Sequence, residues 1–123
     1  MTQEDKDLLL QDLCARLPYD VKCKIEMWIG CDVCTIYNIN SIGYVEIVED
    51  SDTNGVSIER IKPYLFPLSN MTEEQKKEEY EICKYYLNGY ESKLIDFYHK
   101  NHLDYRGLIS MDLANDATGL NIY

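Results

Sequence analysis

Apolar residues occupy every second position from Val21 to Ile29, and this alternation constrains the fold more than any other feature of the chain. Successive side chains of a β-strand point to opposite faces, so a period of two predicts a strand with one buried face. The expected buried set is Val21, Cys23, Ile25, Met27 and Ile29, and the residues between them are Lys22, Lys24, Glu26 and Trp28. We therefore expect a sheet whose register is set by burial of the apolar set.

Three more strands are predicted after this one. Residues 33–39 and 42–48 are rich in β-branched side chains, which favour strands. Asn54-Gly55 is typical of a hairpin turn, and residues 56–58 after it predict a short fourth strand. Consecutive strands of this kind connect most simply as an antiparallel meander.

Helical patterns lie on both sides of the predicted strands. Thr2 is a suitable N-cap for a helix over residues 3–17, on which Asp12 and Arg16 lie away from the apolar face. After the strands, Thr72 opens a capping box and predicts a second helix.

A third helix is expected from Ser92, and a short helix is expected near 107–113. Together these elements predict a single α+β domain over residues 1–123. Its expected architecture is an N-terminal helix, a four-stranded antiparallel β-meander and two or three C-terminal helices packed on the sheet.

The composition is acidic, with 22 Asp and Glu residues against 12 Lys and Arg residues and a formal net charge of −10. Such a surface repels nucleic-acid phosphates and anionic membranes and attracts basic partners. We therefore expect no nucleic acid and no membrane among the partners. The acidic N-terminal residues are unlike a signal peptide, and five scattered cysteines suit a reducing compartment, so a cytoplasmic protein is expected.

A metal site is the sharpest candidate for chemistry. Cys31 and Cys34 form a C-x-x-C pair, and His99 and His102 form an H-x-x-H pair, which together have the ligand types of tetrahedral zinc. Residues three apart on a regular strand point to opposite faces, so the cysteine pair is poorly placed for one metal ion. We therefore expect no bound metal and no cofactor.

No pattern of a nucleophile with its base and no Gly-rich phosphate loop is present, so the chain is not expected to be an enzyme. The best candidate is a binding surface at Tyr105, Arg106 and Gly107. Arg106 is one of three arginines in an acidic chain and suits a carboxylate or phosphate. Tyr64 and Phe66, between two prolines in an expected irregular crossing, are predicted to join it.

A structural role for the same residues is the competing interpretation. In that role Arg106 pairs with Asp104 or with a helix C-terminus, and Tyr64 and Phe66 fill the core. The two interpretations differ in whether the Arg106 guanidinium is open to a concave surface.

Several blocks of the sequence resemble a set of short uncharacterised proteins encoded by phages, prophages and mobile elements of gut Bacteroidales. The blocks are residues 10–24, 61–69, 71–75, 102–109 and 117–123. The resemblance implies an accessory protein that acts on host proteins or defence signals, and it implies no particular activity. It is weakest between about Glu26 and Ser57.

Three functions follow as hypotheses. The first is a non-enzymatic phage or mobile-element accessory protein that binds a host protein, for example as an anti-defence or host-modulating factor. The second is a binder of a small anionic ligand that sequesters a nucleotide-type signal. The third is an enzyme of an unrecognised type.

Overall fold

The computed structural model describes residues 1–28, 32–49, 55–85 and 90–123. The helices are α1 (Gln3–Arg16), α2 (Glu73–Tyr85) and α3 (Tyr90–Lys100). The strands are β1 (Lys22–Ile25), β2 (Cys34–Ile39), β3 (Val45–Ile47), β4 (Ile61–Leu65) and β5 (Asn115–Asp116). The chain is therefore α+β, as predicted. Within the described ranges, no helix combines the length and apolar character needed to cross a bilayer.

The sheet has five strands in the order β3-β2-β1-β4-β5 and is mixed. The first three strands form an antiparallel meander, as predicted. The prediction of a four-stranded antiparallel meander is wrong, because β4 pairs with β1 on its other side and β5 runs parallel to β4. The predicted fourth strand at 56–58 is reduced to one bridge between Val45 and Val56. The Asn54 half of the predicted turn lies outside the described residues.

β4 forms from the segment that was expected to be irregular, and its proline is placed where a strand tolerates it. Lys24 pairs with Lys62, and Glu26 donates its backbone N–H to the Arg60 carbonyl oxygen at 2.8 Å. Backbone groups alternate sides along a strand, so Pro63 turns its missing N–H away from β1. On that side β5 pairs only with the next two residues.

Helix α1 covers one face of the sheet. Its N-cap Thr2 and Asp5 form a capping box, with the Asp5 N–H donating to the Thr2 hydroxyl at 3.1 Å. Leu9 and Leu13 are fully buried and belong to one hydrophobic cluster with the strands. Burial of each leucine contributes roughly 1.5–3 kcal/mol. The other members of that cluster include Cys23, Ile25, Cys34, Ile36, Val45, Ile47, Ile61 and Leu65.

The predicted alternation holds for the first part of its range and then fails. Val21, Cys23 and Ile25 are buried, whereas Met27 is 93% exposed and has a φ of 66°. The chain turns after β1, and the side chain of Arg60 donates twice to the Glu26 carbonyl oxygen, at 3.1 and 3.2 Å. Ile29 lies outside the described residues.

The C-terminal half differs from the prediction in where its helices lie. The capping box of α2 is present, since the Gln75 N–H donates to the Thr72 hydroxyl at 3.1 Å. Helices α2 and α3 pack against each other, and α3 also contacts α1. Among the described residues, the hydrophobic cluster on the sheet includes residues of α1 and none of α2 or α3. Residues 107–113 form turns rather than the predicted helix, because the Asp104 carboxylate accepts the N–H groups of Leu108 and Ile109.

Candidate functional site

A buried ion pair on α1 is the foundation of the candidate site. Asp12 and Arg16 lie one helical turn apart, and both side chains are 0% exposed. Arg16 donates through Nε to the Asp12 Oδ2 atom at 2.7 Å and through Nη2 to the Leu103 carbonyl oxygen at 2.8 Å. The prediction that both residues lie on the exposed face of the helix is wrong, because the segment after α3 covers them.

Arg106 shares the same carboxylate. Its Nε–H donates to the Asp12 Oδ1 atom at 3.1 Å, and its side chain is 24% exposed. Its terminal nitrogens make no hydrogen bond with another described residue. The guanidinium carbon lies 5.0 Å from the centre of the Tyr105 ring, so the group is oriented by a carboxylate and by an aromatic face.

Tyr105 connects this ion pair to α3. Its ring stacks on Tyr98 with centroids 5.3 Å apart, and the Arg16 guanidinium carbon lies 5.6 Å from its centre. Its hydroxyl lies 2.8 Å from Nε2 of His99. Burial, joined by the positive charge of Arg16, lowers the pKa of His99, so its neutral form is favoured. We call Asp12, Arg16, His99, Tyr105 and Arg106 the Asp12 cluster.

His102 borders the cluster. It follows the end of α3, has a φ of 56°, and stacks on Tyr123 with ring centroids 3.6 Å apart. Burial, with a further contribution from Arg16, lowers the pKa of His102 to about 4. Its Nδ1 atom and Nη1 of Arg16 are buried without a hydrogen-bond partner among the described residues. Burying a polar atom without a hydrogen bond is costly, so these two atoms are unfavourable in the folded interior.

The five residues predicted for the binding surface are not brought together: three lie beside α1, and Tyr64 and Phe66 lie elsewhere. Tyr105, Arg106 and Gly107 lie together beside α1, and Gly107 has a φ of 76°, a value that glycine adopts without strain. Tyr64 is 7% exposed and its hydroxyl donates to the Asp32 carbonyl oxygen at 3.0 Å. Since Leu65 joins the cluster beneath α1, alternation directs the Tyr64 side chain to the opposite face of the sheet.

Phe66 directly follows β4. Its backbone pairs with the segment before Tyr105, as its N–H donates to the His102 carbonyl oxygen at 2.8 Å. Its ring packs on the ring of Tyr123 at a centroid distance of 5.8 Å. The pairing of Arg106 with Asp104, which the competing structural interpretation offered, does not form, because the Asp104 carboxylate accepts backbone N–H groups.

The metal candidates are not brought together in the described part of the chain. Cys34 is buried in β2, His99 contacts Tyr105, and His102 lies beyond the end of α3, the helix that contains His99. Cys31 lies outside the described residues. Among the residues that the structure describes, no group of three His, Cys, Asp or Glu side chains is arranged to hold a metal ion.

A cleft opens on the other side of α3. It has a volume of about 300 Å³ and is lined by Tyr19, Glu78, Ile82, Lys93, Asp96, Phe97 and Lys100. Tyr19 is the point of contact with the Asp12 cluster, since its ring centroid lies 6.4 Å from that of His99. The sequence carries no signal for this cleft, because its lining joins two helices and a turn that are distant in sequence.

Comparison with protein-family models, curated proteins and solved structures finds no match to this chain. Function is therefore inferred from the geometry of the chain itself.

Proposed function

We propose that this chain is a non-enzymatic accessory protein of a phage or mobile element that acts in the host cytosol by binding a host protein. Arg106 makes the central contact, and Tyr105 and Gly107 shape the surface around it. The partner presents a carboxylate group to Arg106, which an arginine binds through two parallel hydrogen bonds.

The observation that supports this proposal is the orientation of Arg106. Its Nε–H is held by the buried Asp12 carboxylate at 3.1 Å, its guanidinium carbon lies 5.0 Å from the centre of the Tyr105 ring, and its side chain is 24% exposed. A preorganised arginine loses little conformational freedom on binding, and arginines of this kind often dominate interface energies. The Tyr105 hydroxyl also contacts Nε2 of His99, and this contact helps to fix the Tyr105 ring beside Arg106.

A small anionic ligand is the second candidate, and the same atoms favour it. The terminal nitrogens of Arg106 have the fork geometry that matches phosphate as well as carboxylate. In this case the chain sequesters a phosphorylated small molecule, and the affinity resides in Arg106 without a protein partner.

Both candidates are tested by capturing partners from a host lysate with the tagged chain and identifying proteins and nucleotides by mass spectrometry. Arg106→Lys keeps the charge beside Asp12 but removes the fork, and it should weaken the captured complex by about 30-fold in a purified binding assay. Lys77→Arg, at an exposed site on α2, is the charge-conserving control and should bind normally.

A protein partner that depends on Arg106 supports the first function, and an Arg106-dependent nucleotide supports the second. A partner that binds Arg106→Lys and the unsubstituted chain equally well would show that the surface has been misplaced. Thermal unfolding of each variant separates loss of binding from loss of fold.

A further inference from the structure

The cleft between α2, α3 and the Leu17–Tyr19 turn carries balanced charge around an apolar floor. Tyr19, Ile82 and Phe97 supply the apolar part of the lining, and Phe97 is only 3% exposed. Two carboxylates and two ammonium groups complete it, from Glu78, Asp96, Lys93 and Lys100. In a chain with a net charge of −10, this local balance sets the cleft apart from the surrounding surface.

Glu78, Asp96 and Lys100 have charged groups that a ligand can reach. Nζ of Lys100 lies 4.0 Å from Oε1 of Glu78, a distance at the limit of an ion pair, and both side chains are at least half exposed. Asp96 is exposed and makes no ion pair or hydrogen bond with another described residue. Exposed pairs of this kind are weak, so a ligand displaces them at little cost.

Asp96 and Lys100 lie one turn apart on α3, which places their opposite charges side by side on one face of the helix. A ligand with a single charge would be attracted by one of these two groups and repelled by the other. A ligand that carries both charges on neighbouring atoms satisfies both groups, and an apolar body attached to it covers the aromatic floor.

We infer that this cleft binds a small zwitterion with an apolar side chain, namely a free apolar or aromatic amino acid. Asp96 accepts from the ligand's ammonium group, Lys100 donates to its carboxylate, and Tyr19 and Phe97 contact its side chain. A volume of about 300 Å³ is at the lower end of small-molecule sites, which fits a ligand of this size. This site is separate from Arg106 and does not rest on the proposed function.

The test is a titration of the full chain with phenylalanine, followed by NMR. The expected dissociation constant is on the order of 1 mM, as befits so small a ligand. Signals of residues in the lining should shift, and the His99 ring should report binding through its contact with Tyr19. Phenethylamine lacks the carboxylate and 3-phenylpropionate lacks the ammonium group, and each should bind at least about tenfold more weakly.

Two cleft variants and a matched control complete the test. Asp96→Asn and Lys100→Gln should each weaken phenylalanine binding by about tenfold, while Asp7→Asn on the exposed face of α1 should leave it unchanged. The inference is overturned if no saturable shift occurs by about 10 mM phenylalanine, or if the one-charge analogues bind as well as phenylalanine.

Discussion

The Nε–H group of Arg106 donates to the Oδ1 atom of Asp12 at 3.1 Å, across 94 positions of sequence. The other oxygen of the same carboxylate accepts from Arg16 at 2.7 Å. One buried carboxylate therefore fixes two arginines, one fully buried and one partly open to solvent. Stability and the orientation of the proposed binding group thus depend on the same residue.

Replacement of Asp12 is expected to be strongly destabilising. Asp12→Ala leaves the Arg16 charge buried without its partner, which should lower the free energy of unfolding by about 3–5 kcal/mol. Urea unfolding followed by circular dichroism measures this change. Asp7→Ala on the exposed face of the same helix is the control and should change stability by less than about 0.5 kcal/mol. Equal effects of the two substitutions would contradict the buried pair.

The hydroxyl of Tyr123 joins two strands. It accepts the Lys22 N–H at 2.8 Å and donates to the Tyr64 carbonyl oxygen at 2.7 Å, at the next backbone pair of the β1–β4 ladder. Tyr123→Phe leaves both backbone groups without this partner and should lower the free energy of unfolding by about 1–3 kcal/mol. Tyr37→Phe, at a residue that is 53% exposed, should be nearly neutral in the same denaturation assay.

Protonation of His102 is expected to destabilise the fold. Its pKa is lowered from 6.5 to about 4 in the folded chain, so the unfolded chain binds the proton more tightly. The stabilisation of the fold by neutral His102 is complete above pH 6.5 and is lost as the pH falls towards 4. With allowance for solvent screening around the ring, we expect protonation of His102 to lower the free energy of unfolding by about 1 kcal/mol.

The variant His102→Asn isolates this contribution, since asparagine tolerates the φ of 56° at this position. The difference in unfolding free energy between the unsubstituted chain and the variant should shrink by about 1 kcal/mol between about pH 7 and about pH 4.5. A difference that stays constant with pH would rule out a lowered His102 pKa.

The turn after β1 offers a stabilising substitution. Met27 has a φ of 66° and is 93% exposed, so it bears the cost of a left-handed backbone without gaining burial. Met27→Gly should raise the free energy of unfolding by about 0.5–1 kcal/mol in thermal or chemical denaturation. Met111→Gly, at an exposed methionine outside the positive-φ set, should lower it instead. A loss of stability in both variants would disprove strain at Met27.

The sequence predicts those parts of the fold whose determining residues lie close together along the chain. The caps at Thr2 and Thr72 lie beside the helices they begin, and the alternation from Val21 to Ile25 reports burial within one strand. The position of β4 has no such signal, because a strand that contains Pro63 is acceptable only once its neighbours are known. The parallel pairing of β5 depends in turn on β4.

The candidate site was predicted only at its exposed end. Arg106 was singled out because arginine is scarce in this chain, and composition alone shows that. Asp12 and Arg16 were assigned to the exposed face because a helical pattern separates polar from apolar positions. Their burial depends on the segment around Leu103. The carbonyl oxygen of Leu103 accepts from Arg16 and lies 87 positions after it in the chain.

The bridge made by Tyr123 also bears on the order in which the molecule assembles. Lys22 and Tyr123 are 101 positions apart, so the whole segment between them must leave the ribosome before this contact can form. The Lys24–Lys62 and Glu26–Arg60 pairs of β1 and β4 join residues that lie much closer together in the sequence. Closure over so long a span is slow, which makes completion of the sheet a late event in biosynthesis.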